Sequence, residues 1–143
     1  MILLDVNVLI YAFRRDSVRH RDYNHWLEKV LENNESFGIS NLVLSAMIQI
    51  VTHSRIYVHP TPLQEAVSFT KLLQEQPHCV LIEPSARHWD IFVELCKKAN
   101  AKGNLITDAY FAALALESGS EWVTTDRDYA RFPGLKWRHP LEN

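Results

Sequence analysis

Short apolar runs alternate with longer amphipathic segments along this chain of 143 residues. A run of three or four apolar residues bounded by polar or turn residues is typical of a buried strand. The predicted strands cover residues 2–4, 37–39, 79–82, 122–124 and about 135–137. Because the segments between them can hold helical crossovers, the alternation predicts an α/β fold, a parallel sheet with helices on both faces.

The intervening segments carry apolar residues three or four positions apart, which is the spacing of an amphipathic helix. Predicted helices begin directly after Asp5 and after Ser85, and cover about 20–33, 42–52, 62–74 and 105–118. Ser40 and Ser85 are predicted N-caps, and Gly119 closes the last helix. The helix after Ser85 is expected to bury a stripe formed by Trp89, Phe92, Val93 and Cys96.

The composition is that of a single-domain globular protein. Apolar residues make up 47% and charged residues 22% of the chain, and the formal net charge is -2. This charge argues against a protein that coats nucleic acid through its overall charge, so any contact with RNA or DNA has to be local. We predict one domain over residues 1–143, without a membrane span or signal peptide and located in the cytoplasm.

Aspartates follow two of the predicted strands. Asp5 comes directly after the first strand, and Asp126 comes shortly after the fourth. Asp108 is predicted near the first turn of a helix, where the helix dipole favours a carboxylate. Since parallel α/β folds place their sites at the carboxyl ends of strands, we expect these three side chains to converge, with Asp128 able to reach the same cavity.

Converging carboxylates about 4 Å apart repel one another by on the order of several kcal/mol, so a divalent cation is expected between them. Oxygen ligands favour Mg²⁺ or Mn²⁺ over zinc, and Mg²⁺ commonly binds the phosphate oxygens of a substrate. The pattern therefore points to phosphoryl or phosphodiester chemistry. An aspartate at a helix start or in a turn is also an ordinary capping residue, and for Asp128 this interpretation stays open.

Three sequence blocks resemble signature blocks of the PIN-domain family, and specifically of VapC-type toxins from bacterial toxin–antitoxin modules. The blocks are LLDVNVLIYA, NLITDAYFAALALESG and WVTTDRDYARFPGLKW, and the resemblance extends over essentially the whole chain. It implies a three-layer α/β/α sandwich with a parallel sheet of about five strands. It also implies an Mg²⁺- or Mn²⁺-dependent endoribonuclease, the toxin of a VapBC-type system, which hydrolyses RNA phosphodiester bonds with metal-activated water.

The resemblance also implies roles for individual residues. Asp5, Asp108 and Asp126 match the catalytic, metal-binding aspartates of the family, and Asp128 matches a more variable acidic position. Asn7 matches a polar residue that orients the first aspartate or a metal-bound water. VapC-like proteins form homodimers and are neutralised by a VapB-like antitoxin, so both partners are expected here in addition to the RNA substrate.

One position departs from the family pattern. Many members carry a glutamate in the helix after the second strand, where this chain has Ala46. Gln49, further along the same helix, offers an amide oxygen without charge. The departure predicts weaker metal affinity or the loss of a second metal site, although a VapC subgroup with a similar helix also lacks this glutamate.

Four arginines lie close together near the start of the second predicted helix: Arg14, Arg15, Arg19 and Arg21. They are candidate contacts to RNA phosphates, with a solvated charged surface as the alternative. No histidine is assigned as a general base, because none has a partnered motif. Tyr23, Trp26 and Trp89 are assigned to the core or to subunit packing rather than to base stacking.

Two other functions remain open on the sequence alone. One is a catalytically degenerate PIN-like protein that binds RNA or a protein partner without cutting, because Ala46 replaces an acidic ligand. The other is a haloacid-dehalogenase-like phosphatase, which also starts with an aspartate after a strand. That enzyme class has a second aspartate two residues later, where this chain has Asn7.

Overall fold

A five-stranded parallel sheet forms the centre of the molecule. The structure is a computed structural model that describes residues 1–142, so Asn143 of the predicted domain lies outside the described residues. The strands are β1 (Ile2–Leu4), β2 (Phe37–Ile39), β3 (Cys79–Leu81), β4 (Glu121–Val123) and β5 (Trp137–Arg138). Their order across the sheet is β3-β2-β1-β4-β5, which confirms the predicted parallel α/β fold.

Helices connect the strands and cover both faces of the sheet. They are α1 (Val6–Phe13), α2 (His20–Glu32), α3 (Asn41–Val51), α4 (Leu63–Gln74), α5 (His88–Lys98), α6 (Asn104–Ser118) and a 3₁₀ helix (Arg127–Arg131). The connections from β1 to β2 and from β2 to β3 step across the sheet in one direction, and the connection from β3 to β4 steps back past β1. Because such crossovers are right-handed, α1 to α4 cover one face and α5 and α6 cover the other.

The hydrophobic core is centred on β1 and β4. Leu3 and Leu4 of β1 and Trp122 and Val123 of β4 have no exposed surface. Strands covered on both faces need apolar residues without alternation, and each fully buried leucine or valine side chain contributes roughly 1.5–3 kcal/mol. Helix α6 packs small side chains into this core: Ala109, Ala112, Ala113 and Ala115. No helix in residues 1–142 is both long and apolar enough to span a bilayer.

All strand carboxyl ends lie along one side of the sheet, which we call the carboxyl edge. The backbone N–H of Asp5 donates to the Val123 carbonyl at 3.0 Å, and the N–H of Thr124 donates to the Arg138 carbonyl at 3.1 Å. These bonds continue the strand register by one residue on each strand. The residues that follow β1 and β4 are therefore held by the sheet and not by a free loop.

The predicted start of α5 was wrong, and its predicted buried stripe was only partly right. The helix begins at His88, and Ser85 donates its backbone N–H and its hydroxyl to Glu117 instead of capping α5. Trp89 is 63% exposed, whereas His88 and Leu95 are buried. The remaining members of the predicted stripe are only partly buried: Phe92, Val93 and Cys96. Apolar spacing alone does not distinguish two helix faces that differ by one position.

Candidate metal centre

Asp5 lies at the centre of the carboxyl edge, between the ends of β1 and β4. Only 5% of the residue is exposed. Its Oδ1 accepts a hydrogen bond from the backbone N–H of Val6 at 2.6 Å, which caps α1. Its Oδ2 accepts from the Thr124 hydroxyl at 2.6 Å and from the Asn7 amide at 3.2 Å. A carboxylate has about four lone-pair positions, so these three bonds offset part of the cost of burial and leave one position for a ligand.

Asn7 and Thr124 hold the segments around Asp5 together. The Thr124 hydroxyl, besides donating to Asp5, accepts from the backbone N–H of Asp126 at 3.0 Å. The Asn7 Oδ1 accepts from the backbone N–H of Thr125 at 3.2 Å, and its amide nitrogen lies 3.4 Å from the Thr124 hydroxyl oxygen. Asn7 therefore contacts the aspartate that it is predicted to orient, and that role stays a prediction.

Thr124 is a site residue that the sequence interpretation did not single out. Strands β1 and β4 pair with Leu4 opposite Val123, so the next residues, Asp5 and Thr124, become neighbours. Thr124 has no exposed surface, and a buried hydroxyl needs hydrogen-bond partners. A hydroxyl residue at the end of an apolar strand was the available signal, but its partner depends on the strand order.

Asp126 and Asp128 begin the 3₁₀ helix that follows β4. Asp126 is its N-cap, and the Asp126 Oδ1 accepts from the backbone N–H of Asp128 at 2.9 Å. Asp126 is partly buried, whereas Asp128 is exposed. Asp126 is therefore partly enclosed by the protein at the carboxyl edge, whereas Asp128 lies at the rim, next to solvent.

Asp108 comes to the same region from α6. This helix begins at Asn104, so Asp108 is the first residue of its second turn. It lies one residue beyond the first turn, near which it was predicted and where the helix dipole favours a carboxylate most. The Tyr129 hydroxyl donates to Asp108 Oδ1 at 3.3 Å. Tyr129 is buried against Trp122 and Phe132, so this bond ties α6 to the segment after β4.

Burial and mutual repulsion raise the pKa of two of these carboxyl groups. Burial raises the pKa of Asp5 to about 6; its hydrogen bonds oppose the shift, and the charges of Asp108 and Asp126 add to it. Burial also raises the pKa of Asp108, and the charge of Asp126 adds to that shift. The pKa of Tyr129 is raised by burial first and then by the same three carboxylates, so its hydroxyl stays protonated and donates to Asp108.

The three aspartates share a region of negative potential rather than a closed ligand cage. Within residues 1–142 no three His, Cys, Asp or Glu side chains are close enough to form a metal-binding cluster. Mg²⁺ does not need such a cluster, because it retains several waters and binds through one or two carboxylates. The donors are hard oxygens, and a divalent cation would offset the mutual repulsion that adds to burial in raising the pKa of Asp5 and Asp108. The residues therefore fit Mg²⁺ or Mn²⁺.

Ala46 and Gln49 both lie on α3. Ala46 is partly buried and Gln49 is exposed. An alanine methyl group has no donor atom, so α3 contributes no charged ligand from this position. The expected effect of this departure on metal affinity stays a prediction.

Arg14 was wrongly assigned as an RNA contact. Only 8% of it is exposed, and its guanidinium forms a two-pronged ion pair with Asp16 at 2.9 and 2.5 Å. The same group donates to the His59 carbonyl at 2.9 Å and to the Thr61 hydroxyl at 3.1 Å, and it stacks 3.7 Å from the Tyr57 ring centroid. Arg14 therefore joins the end of α1 to the segment before α4, and four of its five N–H donors already have partners within the protein.

The other three arginines of this segment are exposed. Arg19 forms an ion pair with Asp22 at 2.9 Å, whereas Arg15 and Arg21 form no ion pair within the described part of the chain. A cleft of about 600 Å³ is lined by Arg15, Ser17, Arg19, His20 and Arg21. These three arginines remain candidate contacts to RNA phosphates.

A parallel sheet with mutually repelling aspartates at its carboxyl edge is the arrangement of an α/β protein with an acidic site at the strand ends. We call the site formed by Asp5, Asp108 and Asp126 the acidic pocket. The family model of the PIN domain matches residues 2–135. The chain therefore belongs to the PIN-domain family, which confirms the resemblance carried by the three sequence blocks.

Curated relatives place the chain in the VapC branch of this family. It is 41% identical to VapC ribonuclease Mb2897 of Mycobacterium bovis over 142 residues, which cover 99% of this chain and 97% of the relative. It is 36% identical to ribonuclease VapC25 of Mycobacterium tuberculosis over 140 residues, which cover 98% of this chain and 99% of the relative.

Solved structures share the fold. VapBC2 from Rickettsia felis, bound to a DNA fragment from its promoter, matches with a TM-score of 0.72 at 22% identity, over 97% of this chain and 98% of that chain. VapC20 of Mycobacterium tuberculosis, described as a toxin that cleaves the sarcin-ricin loop, matches with a TM-score of 0.67 at 13% identity, over 91% and 93%. These matches confirm the predicted α/β/α sandwich.

Proposed function

We propose that this protein is a divalent-metal-dependent endoribonuclease and the toxin of a VapBC-type toxin–antitoxin pair. The observation that carries the proposal is the acidic pocket, in which burial and mutual repulsion raise the pKa of Asp5 and Asp108. RNA as the substrate is supported by relatives at 41% and 36% identity that are named VapC ribonucleases.

Asp5, Asp108 and Asp126 are the proposed catalytic residues and would hold Mg²⁺ or Mn²⁺. Asp128, at the rim, is a further candidate ligand. When bound, such an ion supplies neutralising charge for a phosphodiester in its transition state and lowers the pKa of a water molecule.

The chain's own residues keep the pocket in one arrangement before substrate arrives. Thr124 and Asn7 fix the Asp5 carboxylate through the bonds to its Oδ2, and Tyr129 fixes the Asp108 carboxylate. Groups that hold metal ligands in place are worth about 10- to 100-fold in metal affinity or activity. These three residues are therefore positioning residues, and they act through the aspartates they contact.

Membership of the same family also suggests which proteins this chain binds. A VapB-like antitoxin is the proposed protein partner, supported by the relation to VapC proteins and by the shared fold with VapBC structures. We also propose a homodimer in the cytoplasm. Exposed apolar side chains on the described surface, among them Val58, Leu63 and Trp89, are the kind that a protein partner covers.

Incubation of the purified protein with total cellular RNA tests the activity. Mg²⁺ or Mn²⁺ should produce discrete cuts, EDTA should prevent them, and mapping the new ends should identify the site. Asp126→Asn should remove cleavage, whereas Asp90→Asn on the exposed first turn of α5 should cut like the native protein. Native protein that binds RNA but leaves it intact with either metal would instead support the catalytically degenerate alternative that Ala46 raises.

A further inference from the structure

Helices and connecting segments near the acidic pocket carry exposed cations on both faces of the sheet. On one face they are Arg15 and Arg21, and on the other they are Lys97 and Lys102. None of the four forms an ion pair within residues 1–142. Their neighbours Arg19 and Lys98 do form ion pairs, with Asp22 and Glu94.

The direction of α6 places Lys102 at the carboxyl edge. This helix ends at Ser118, three residues before β4 begins, so its C-terminus lies at the opposite, amino edge of the sheet. Asp108 lies at pocket level, because it bonds to Tyr129 from the segment after β4. The first helical residue, Asn104, is about 6 Å further along the helix axis, at 1.5 Å per residue. Lys102 directly precedes this turn and therefore lies beyond the pocket, on the side away from the sheet.

The direction of α5 places Lys97 beside it. Only five residues, 99–103, separate the two helices, so the end of α5 lies next to the start of α6. The backbone N–H of Ala101 donates to the Cys96 carbonyl at 2.9 Å, which turns the chain tightly there. The last turn of α5, which contains Lys97, therefore lies at the same end of the molecule as Lys102.

The start of α2 lies at the carboxyl edge on the other face. Tyr23, in the first turn of α2, has its hydroxyl 3.4 Å from Nε2 of His139, the first residue after β5. Arg21 lies within the same turn of the helix. Arg15 lines a common cleft with Arg21, in the segment that joins α1 to α2.

We propose that an RNA strand crosses the carboxyl edge from one sheet face to the other, with Lys97 and Lys102 contacting its phosphates on one side of the acidic pocket and Arg15 and Arg21 contacting them on the other. The proposal rests on the proposed nuclease function. A net charge of -2 and an acidic pocket both repel RNA, so attraction has to come from cations placed next to the pocket. Two clusters on opposite faces hold a strand over the pocket, whereas one cluster would hold it only at one end.

Three double variants of equal charge test this placement. The first is Lys97→Ala with Lys102→Ala, and the second is Arg15→Ala with Arg21→Ala. The matched control is Lys29→Ala with Lys71→Ala, in the last turns of α2 and α4, which precede strands and therefore lie at the amino edge. All four lysines and both arginines are exposed, and each pair removes two positive charges.

Binding is measured with a fluorescently labelled oligouridylate in Mg²⁺ at several salt concentrations. All proteins carry Asp126→Asn so that the probe is not cut. Loss of two phosphate contacts should weaken binding roughly tenfold at low salt and reduce the slope of log Kd against log salt by about 1.4, at about 0.7 per contact for a single strand. Each carboxyl-edge pair should show this loss, the four-residue variant should show the sum, and the amino-edge pair should match Asp126→Asn alone.

The proposal is wrong if either carboxyl-edge pair binds like the amino-edge pair, or if the two losses do not add. It is equally wrong if the lysine pair leaves RNA binding unchanged but weakens binding of the cognate antitoxin, because that surface would then be a protein interface. Failure of the nuclease function gives a different result. In that case the protein without Asp126→Asn leaves RNA intact, whatever the lysine pair does to binding.

Discussion

Asp5→Asn is expected to become more stable relative to the metal-free native protein as pH rises, while it abolishes RNA cleavage. The substitution keeps the size of the side chain and its helix-capping ability, since asparagine caps as well as aspartate. It removes a charge that is buried and lies near two other carboxylates. The change therefore separates what the charge does for activity from what it costs the fold.

The magnitude follows from the pKa of Asp5, which burial raises from an ordinary 3.8 to about 6. This gap corresponds to about 3 kcal/mol, at about 1.4 kcal/mol for each pKa unit. The folded state binds the proton of Asp5 more tightly than the unfolded chain does. Protonation of Asp5 therefore stabilises the fold fully below about pH 4, and this stabilisation is lost as pH rises through about 6. Asparagine is uncharged at every pH, although its amide nitrogen cannot accept the bonds that Oδ2 accepts from Thr124 and Asn7. Whatever that constant loss costs, the stability of the variant relative to the native protein should rise by about 2.5 kcal/mol between pH 4 and pH 7.

Urea unfolding followed by tryptophan fluorescence measures this difference, since the chain has four tryptophans. Native protein and variant are compared in EDTA at several pH values. Asp128→Asn is the control, because this exposed aspartate should change stability by less than about 0.5 kcal/mol. Added Mn²⁺ should stabilise the native protein in proportion to its occupancy and should leave Asp5→Asn nearly unchanged. A stability difference between variant and native protein that stays the same from pH 4 to pH 7.5 in EDTA would refute the reasoning.

Three further substitutions test the residues that support the site. Thr124→Val should weaken Mn²⁺ binding, measured by calorimetry, and destabilise the fold by about 1–3 kcal/mol. The Asp5 carboxylate loses a donor, and the backbone N–H of Asp126 loses its acceptor. Thr124→Ser should restore both the affinity and the stability. Tyr129→Phe keeps the ring packing but removes the bond to Asp108, so Mn²⁺ affinity should fall about tenfold or more while urea unfolding changes by less than about 1 kcal/mol. Arg14→Lys should destabilise the fold by about 1–3 kcal/mol in urea unfolding, because an ammonium cannot reproduce the two-pronged ion pair with Asp16 and the stacking on Tyr57. Equal stability of native protein and variant would show that Arg14 does not hold these segments together.

Features that depend on neighbouring residues in the sequence could be predicted. The three-residue strand before Asp5 is apolar because β1 is covered on both faces, and the helix directly after Asp5 was recognised from its own periodicity. Ser40 was predicted as the cap of α3, and its hydroxyl accepts from the backbone N–H of Leu42 at 3.2 Å. In each case the physical cause lies within a few residues of its effect.

Features that depend on distant parts of the chain could not be predicted. Thr124 contacts Asp5 only because β4 lies beside β1, and a single sequence does not contain the strand order. Arg14 looked like a member of an exposed cationic cluster, but the segment around His59 and Thr61 supplies acceptors that bury it. Periodicity within one segment therefore locates helices better than it assigns roles to their charged residues.

The arrangement of ion pairs explains how an acidic pocket persists beside so many cations. Within residues 1–142, no lysine, arginine or histidine forms an ion pair with Asp5, Asp108 or Asp126. Arg127 lies between two aspartates in the sequence, yet its side chain pairs with Glu142 from the segment after β5. A cation seated in the pocket would neutralise the carboxylates and compete with a divalent metal for them. Because Arg127 pairs with Glu142, it does not neutralise the pocket. The charges of Asp108 and Asp126 therefore add to the burial that raises the pKa of Asp5, and a bound metal ion would relieve that repulsion.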